Sequence, residues 1–274
     1  MDESLSNWLA LREAADTAAR SLALTRTIAD ALPPARPLRV LDLATGTGSN
    51  VRYLSRYLPH EQDWLVVDRD PALLAEVPSR MTSWDEAQGL VRHVEALQLN
   101  LGDPDHPEIF AGRHLVTASA LLDLVSEEWL QSLAARCRES GAAALFALTY
   151  NGRSQCSPAE PEDDTIRELM NRHQKTNDKG FGQAVGPDAV DCAARCFVAA
   201  GYQVRRDESN WILAPEARDL QRQLIEGWAD AAAAVDPEQS ATIADWRTRR
   251  LAHVEAHRSH IVVGHEDLAA WLPR

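Results

Sequence analysis

Three features of the sequence predict an α/β protein built on a mostly parallel sheet. Short apolar runs, among them Leu38–Leu43, Trp64–Val67 and Ala143–Leu148, alternate with helical patterns. These runs are continuously apolar instead of alternating, which is the mark of strands buried on both faces. A glycine turn, Ala44-Thr-Gly-Thr-Gly48, joins the first run to a helix start, the arrangement of a nucleotide-binding corner. The chain of 274 residues falls between one domain and two and can bury a large core.

The elements follow in order. Residues 4–31 read as one helix, with Leu5, Trp8, Leu9, Ala15, Ala18, Leu22 and Ile28 near 3.6-residue spacing, stopped by Pro33-Pro34. Leu38–Leu43 is the first strand, and Ser49 to Leu58 a helix ended by Pro59. Trp64–Val67 is the second strand, closed by Asp68, and Pro71 to Val77 opens another helix. Val94–Leu99 and Leu115–Ala118 are the third and fourth strands. Ser126 caps a helix running to about Glu139, with Glu127 and Glu128 at its positive end. Ala143–Leu148 is the fifth strand.

After Tyr150 the texture changes. Residues 151–163, with Gly152, Pro158 and Pro161, read as loop, 164–176 as a polar helix and Lys179–Gly182 as flexible. Pro187 to Ala200 is a helix closed by Gly201. Tyr202–Leu213 is strand-rich, as one bent strand or a hairpin around Ser209-Asn210. Helices near 216–233 and 239–257 and a last strand at Ile261–Val263 complete the chain. The expected division is an N-terminal helical cap at 1–34 and an α/β domain at 35–274, within which 151–186 is a candidate lid or substrate segment.

A formal net charge of −13 argues against a nucleic-acid partner, which needs a clustered basic face. No apolar run approaches the ~20 residues of a membrane span, and the N-terminus lacks a basic region before an apolar stretch. The expected setting is cytoplasmic, with no membrane partner. Four cysteines are too few for a disulfide framework, and Cys192 and Cys196 lack the second pair of a zinc site, so they read as small buried residues. His253-Val-Glu-Ala-His257, with His260 and His265 beyond it, has its glutamate one place late for a zincin motif, and no metal is expected. Of the eight tryptophans, Trp129, Trp211, Trp228 and Trp246 read as core or as the wall of an aromatic acceptor site.

Asp68, 20 residues beyond Gly48, stands where a carboxylate accepts hydrogen bonds from both hydroxyls of a ribose. The dinucleotide pattern G-x-G-x-x-G fails, because Val51 follows Gly46-x-Gly48 where the third glycine belongs. Asp42-x-Ala44-x-Gly46-x-Gly48 instead resembles motif I of the class I S-adenosylmethionine-dependent methyltransferases, [D/E]-x-G-x-G-x-G, with Ala44 in place of the first glycine. The resemblance is clear over residues 38–150 and loose over 187–264. It has two further departures: Asn100 where the family often has aspartate, and His114 at another position the family often fills with aspartate.

The resemblance implies a Rossmann-like, mostly parallel seven-stranded sheet with helices on both faces, an N-terminal helical cap and extra C-terminal helices. It implies S-adenosyl-L-methionine as donor and in-line methyl transfer. The expected acceptor is a small molecule, and a homodimer is a possible assembly. Thr117-Ala-Ser-Ala120, in place of the [DN]-P-P-[YF] of nucleic-acid amino-methyltransferases, favours the small molecule. The donor side takes Asp42, Ala44, Thr45, Gly46, Gly48 and Asn50 from the corner and Asp68 with Arg69 from the second strand end. Asn100 and Leu101 stand at the adenine, and Ala118 and Ser119 border donor and substrate.

Arg12 joins the donor set on a helical-face argument. It lies four residues from Trp8, so Trp8 covers the site while Arg12 pairs with the donor's carboxylate, or the helix simply packs with a surface arginine. Candidate acceptor-side groups are Asp123 after the fourth strand, Tyr150 after the fifth and His173 on the 164–182 segment, each with a plain structural alternative. Two rival functions stay open: an NAD-dependent oxidoreductase, and a non-catalytic nucleotide-binding or interaction protein of the same fold.

Overall fold

The computed structural model describes residues 3–59, 61–88, 92–102, 106–176 and 178–273. The chain begins with α1 (Glu3–Ala19) and α2 (Leu22–Ala31). Then come β1 (Leu38–Leu43), α3 (Ser49–Leu54), β2 (Gln62–Asp68), α4 (Pro71–Gln88), β3 (Arg92–Gln98), the single turn α5 (Pro107–Phe110) and β4 (Leu115–Ser119). A 3-10 turn at Leu122–Leu124 leads to α6 (Glu127–Ser140) and β5 (Ala143–Ser157). The remainder is α7 (Asp163–Thr176), α8 (Ala189–Ala199), β6 (Gln203–Glu208), β7 (Trp211–Leu213), α9 (Arg218–Val235), α10 (Ser240–Glu255) and β8 (His260–Trp271).

One sheet of eight strands runs β3-β2-β1-β4-β5-β8-β6, with β7 paired to β8 off this path. Strands β1 to β5 are mutually parallel, and β8 is antiparallel to β5, β6 and β7. The chain leaves β1 toward β2 and β3 on one side and returns at β4 to build the other. The gap above the carboxyl ends of β1 and β4 is therefore the topological switch point where open α/β sheets bind ligands.

Three apolar cores flank the sheet. Ile28, Val51, Leu54 and Trp64 join on the α2–α3–α4 face, and Phe146, Leu130 and Phe197 on the α6–α8 face. A third core, with Trp211, Trp228, Trp246 and Ile261, lies under α7, α9 and α10 beside the extensions of β5 and β8. Among the described residues no helix is long and apolar enough to cross a membrane.

Several boundaries differ from the sequence reading. The helix expected over 4–31 is broken at Arg20-Ser21, because Ser21 turns to cap α2 through the Leu24 N–H and gives its own N–H to the buried Asp267. The 49–58 helix is regular only to Leu54, while the helix from Pro71 runs through Pro78 to Gln88. Residues 151–157, expected as loop, continue β5, because β8 supplies partners as far as Ser157. The last strand, expected as three residues, spans His260–Trp271 and pairs with three others. Seven expected strands become eight, since 202–213 forms β6 and β7, both on β8 and neither on the other. Lys179–Gly182 is tied down: Asp178 Oδ1 accepts N–H groups of Gly180, Phe181 and Gly182.

Candidate functional site

The corner after β1 is braced by one buried acid. Asp42 is fully buried; Thr45 Oγ1 donates to its Oδ2 and Asn50 Nδ2 to its Oδ1, both at 2.6 Å. Asn50 Nδ2 also reaches Thr117 Oγ1 at 3.1 Å, and that hydroxyl donates to the Leu145 carbonyl at 2.6 Å, so β1, α3, β4 and β5 are tied at one point. Burial pushes the Asp42 carboxyl up to about 6, more than the Thr45 and Asn50 bonds pull it down. Gly46 has φ +56°, a region that favours glycine, and a side chain there would meet Leu9 at 3.0 Å. Asp68, at the end of β2, accepts the Gly46 N–H on Oδ2 (2.8 Å) and the Asp70 N–H on Oδ1 (3.0 Å). Each oxygen keeps a further lone pair.

This corner opens on a cleft of about 420 Å³ at the switch point. One stripe of α1, Leu5, Leu9, Arg12 and Asp16, forms its roof. Of the residues expected at the donor, Arg12, Ala44, Thr45, Gly46, Asn50, Asp68, Arg69, Leu101 and Ser119 line it. Asp42 braces the wall from behind, Gly48 caps α3 facing Arg52, Val77 and Met81, and Ala118 is buried in the sheet. Asn100 Oδ1 accepts the Gly102 N–H at 3.1 Å, beside the cleft wall at Leu101. A second cavity, of about 540 Å³, lies by the extension of β5 with Arg153, Glu160, Asp163 and Arg167 on its wall. It is the larger but shares no lining residue with the corner, and Glu160 and Asp163 there are engaged by Arg249 and Arg250.

The three acceptor-side candidates are placed differently. Asp123 sits buried in the 3-10 turn after β4, with no hydrogen bond to its Oδ1 among the described residues. Burial raises its carboxyl, against its own backbone N–H and the charges of Lys179 and Arg12. Tyr150 is buried on β5; its hydroxyl donates to Asn171 Oδ1 at 2.9 Å, and burial raises it too. His173 is half-buried on α7, and burial, then Lys179, lowers it.

The structure brings in residues the sequence reading did not choose. Asp16 pairs with Arg12, and Lys179 and Phe181 form the wall opposite α1, Phe181 edge-on to Trp129 at 5.8 Å. His265 is the direct partner of Tyr150 across β5 and β8, with ring centroids 6.1 Å apart, and lies 5.1 Å from Trp211. Burial, then Arg12, lowers it to about 3, and its Nδ1 has no partner among the described residues. Asp16 was within reach of the helical stripe that gave Arg12; nothing local marks His265, whose place depends on strand pairing. Away from the site, His253 binds Glu160 at 2.7 Å, and all four cysteines are free. Among the described residues no group of three His, Cys, Asp or Glu could hold a metal.

No family model matches the chain, and no curated protein does. Solved structures align along most of its length at low identity. A SAM-dependent methyltransferase from Geobacter sulfurreducens, in complex with S-adenosyl-L-homocysteine, is 14% identical over 96% of this chain and 98% of its own, with a TM-score of 0.46. A SAM-dependent methyltransferase from Thiobacillus denitrificans, also in complex with S-adenosyl-L-homocysteine, is 13% identical over 97% of this chain and 98% of its own, at 0.47. The cyclopropane synthase MmaA2 from Mycobacterium tuberculosis is 11% identical over 90% of this chain and 83% of its own, at 0.47. The chain's own strand order and switch-point corner make the fold Rossmann-like, with a cleft of about 420 Å³ at the expected edge.

Proposed function

We propose that the protein is an S-adenosylmethionine-dependent methyltransferase acting on a small-molecule acceptor by in-line displacement. The observation that carries this reading is the switch-point cleft, in which the glycine corner after β1 and the Asp68 carboxylate after β2 face one ligand-sized volume. S-Adenosylmethionine, when bound, supplies a methyl group made electrophilic by its sulfonium.

The residues present fit such a donor. Asp68 keeps lone pairs for two ribose hydroxyls. Asn100, Leu101 and Arg69 border the adenine end, and Ala44 to Gly48 let the backbone approach closely. Ser119 borders donor and acceptor with Ala118 buried behind it, and α1 of the N-terminal cap covers the cleft. On the acceptor side Asp123, Tyr150 and His173 orient the acceptor or take its proton, with 151–186 as the segment that shapes their space. Holding the reactants in line supplies most of the acceleration, on the order of 7–11 kcal/mol for well-oriented groups.

A net charge of −13 favours a small acceptor over a polyanion. Four free cysteines, three of them buried, suit a reducing, cytoplasmic setting. Calorimetric titration with S-adenosylmethionine, S-adenosylhomocysteine and NAD tests the reading. The first two bind if it holds; binding of NAD alone sinks it. Donor binding without methyl transfer to any small acceptor would favour the non-catalytic alternative.

A further inference from the structure

The chain has only two lysines, Lys175 and Lys179, against 26 arginines. Both lie in the segment after β5, and they are in opposite states. Lys175 is exposed and spends its charge on Asp188, with Nζ 2.6 Å from Oδ2. Lys179 is half-buried on the wall of the switch-point cleft, and its ammonium has no hydrogen bond or ion pair among the described residues.

The backbone under Lys179 is fixed although its side chain is not engaged. Its carbonyl accepts Arg69 Nη1 at 3.1 Å. Asp178, just before it, gathers the next three N–H groups on Oδ1. The Phe181 carbonyl accepts the Ser126 N–H at 3.3 Å, and the Gly180 carbonyl lies so near Gly102 that a Cβ there would come within 1.9 Å of it. An ammonium has three donors, and half-burying it without a partner is costly.

The cleft does not supply that partner. The Asp16 oxygens are held by Arg12, with the Trp211 indole on one of them, and the Asp68 oxygens by the N–H groups of Gly46 and Asp70. Of the other two cations on the wall, Arg12 is paired with Asp16 and Arg69 is exposed. The charge of Lys179 acts on Asp123 and His173, two of the three acceptor-side candidates. Charge balance also selects the kind of anion. Asp16, Asp68 and Asp70 line the same cleft, so a phosphate dianion would meet three carboxylates, whereas one negative charge matches one ammonium. Phe181, Leu121 and Leu124 add apolar surface to that wall.

We propose that Lys179 determines acceptor specificity, and that the acceptor is a small carboxylic acid with an apolar body whose carboxylate this ammonium binds. The proposal rests on the donor reading above, which assigns the corner and Asp68 to the donor and leaves Lys179 to the acceptor.

Lysine labelled with ¹³C at Cε gives two signals in this protein, and Lys175→Arg removes one, so Lys179 is observed directly. The full chain, saturated with S-adenosylhomocysteine at constant ionic strength, is titrated with acid and amide pairs: acetate and acetamide, hexanoate and hexanamide, benzoate and benzamide. At least one acid shifts the Lys179 signal to saturation, its amide leaves that signal in place, and the Lys175 signal stays put with both. Lys179→Met weakens that acid at least about ten-fold, Lys179→Arg restores most of the loss, and S-adenosylhomocysteine binds both variants as it binds the wild type. The wild-type titration decides the matter even if Lys179→Met does not fold. No acid outdoing its amide at Lys179, or weakened S-adenosylhomocysteine binding in Lys179→Met, overturns the proposal alone; the second result would assign the ammonium to the donor. Failure of S-adenosylhomocysteine to bind the wild-type protein overturns the donor reading and the proposal with it.

Discussion

The two sides of the switch point bury ionisable groups in opposite ways. At the corner after β1, Asp42 has a bond to each oxygen, from Thr45 and Asn50, three and eight residues further along the chain. Beyond β4 and β5, Asp123 and His265 are also buried, yet Asp123 Oδ1 and His265 Nδ1 have no hydrogen-bond partner among the described residues. At the corner the Asp42 carboxylate is closed off by its two partners. Asp123 is buried by the 3-10 turn after β4 and His265 by the pairing of β8 with β5, and each keeps unused hydrogen-bonding capacity among the described residues. The charges differ as well: burial pushes the Asp42 acid up to about 6, and burial with Arg12 pushes the His265 base down to about 3.

Four substitutions break or sharpen this contrast. The largest effect falls at the corner. On the proposed reading Asp68→Ala removes two charge-assisted hydrogen bonds to the ribose, so S-adenosylhomocysteine affinity is expected to drop about 100-fold, or about 2.7 kcal/mol, by calorimetry. An unchanged affinity would mean that the corner is only a turn.

Next is His265. Its folded pKa of about 3 lies below the ordinary 6.5, so below that value the unfolded chain takes a proton the folded protein refuses. The stability that follows is full above 6.5 and lost as the pH falls toward 3. Between pH 7 and pH 5 the wild type loses about 2 kcal/mol relative to His265→Gln, measured by urea denaturation.

Asp42 has the opposite sign. Its folded value of about 6 lies above the ordinary 3.8, so its contribution is present at low pH and lost as the pH rises through 6. From pH 5 to pH 7 the wild type loses about 1.4 kcal/mol relative to Asp42→Asn in the same assay. Slopes of the same sign for the two variants would dissolve the contrast. The smallest change is Tyr150→Phe, which deletes the bond to Asn171 at a cost of about 1 kcal/mol and leaves donor affinity where it was. A fall in donor affinity there would show that the two sides act as one.

The sequence made one side far more legible than the other. Asp42, the glycine turn and Asp68 lie within a single β-α-β unit, and their partners are a few residues away, so spacing alone announced the corner. Ser126 was readable for the same reason, because a cap bonds the N–H three residues ahead. The helical stripe gave Arg12 but stopped short of Asp16, its ion-pair partner, since 3.6-residue spacing says which face a side chain occupies and not which partners it finds there. His265 offered no signal: it stands in a histidine-rich stretch, and only the pairing of β8 with β5 sets it against Tyr150.

By itself, then, the sequence determined the elements whose stability is local: apolar strand cores, capped helices, the tight turn and the acid that follows it. Tertiary structure decided how far β5 and β8 extend, where the N-terminal helix breaks and which buried groups lack partners. The reason is physical. A turn or a cap is satisfied within a few residues, whereas a strand continues only while another strand bonds to it. Whether a buried donor is satisfied depends likewise on every chain segment folded around it.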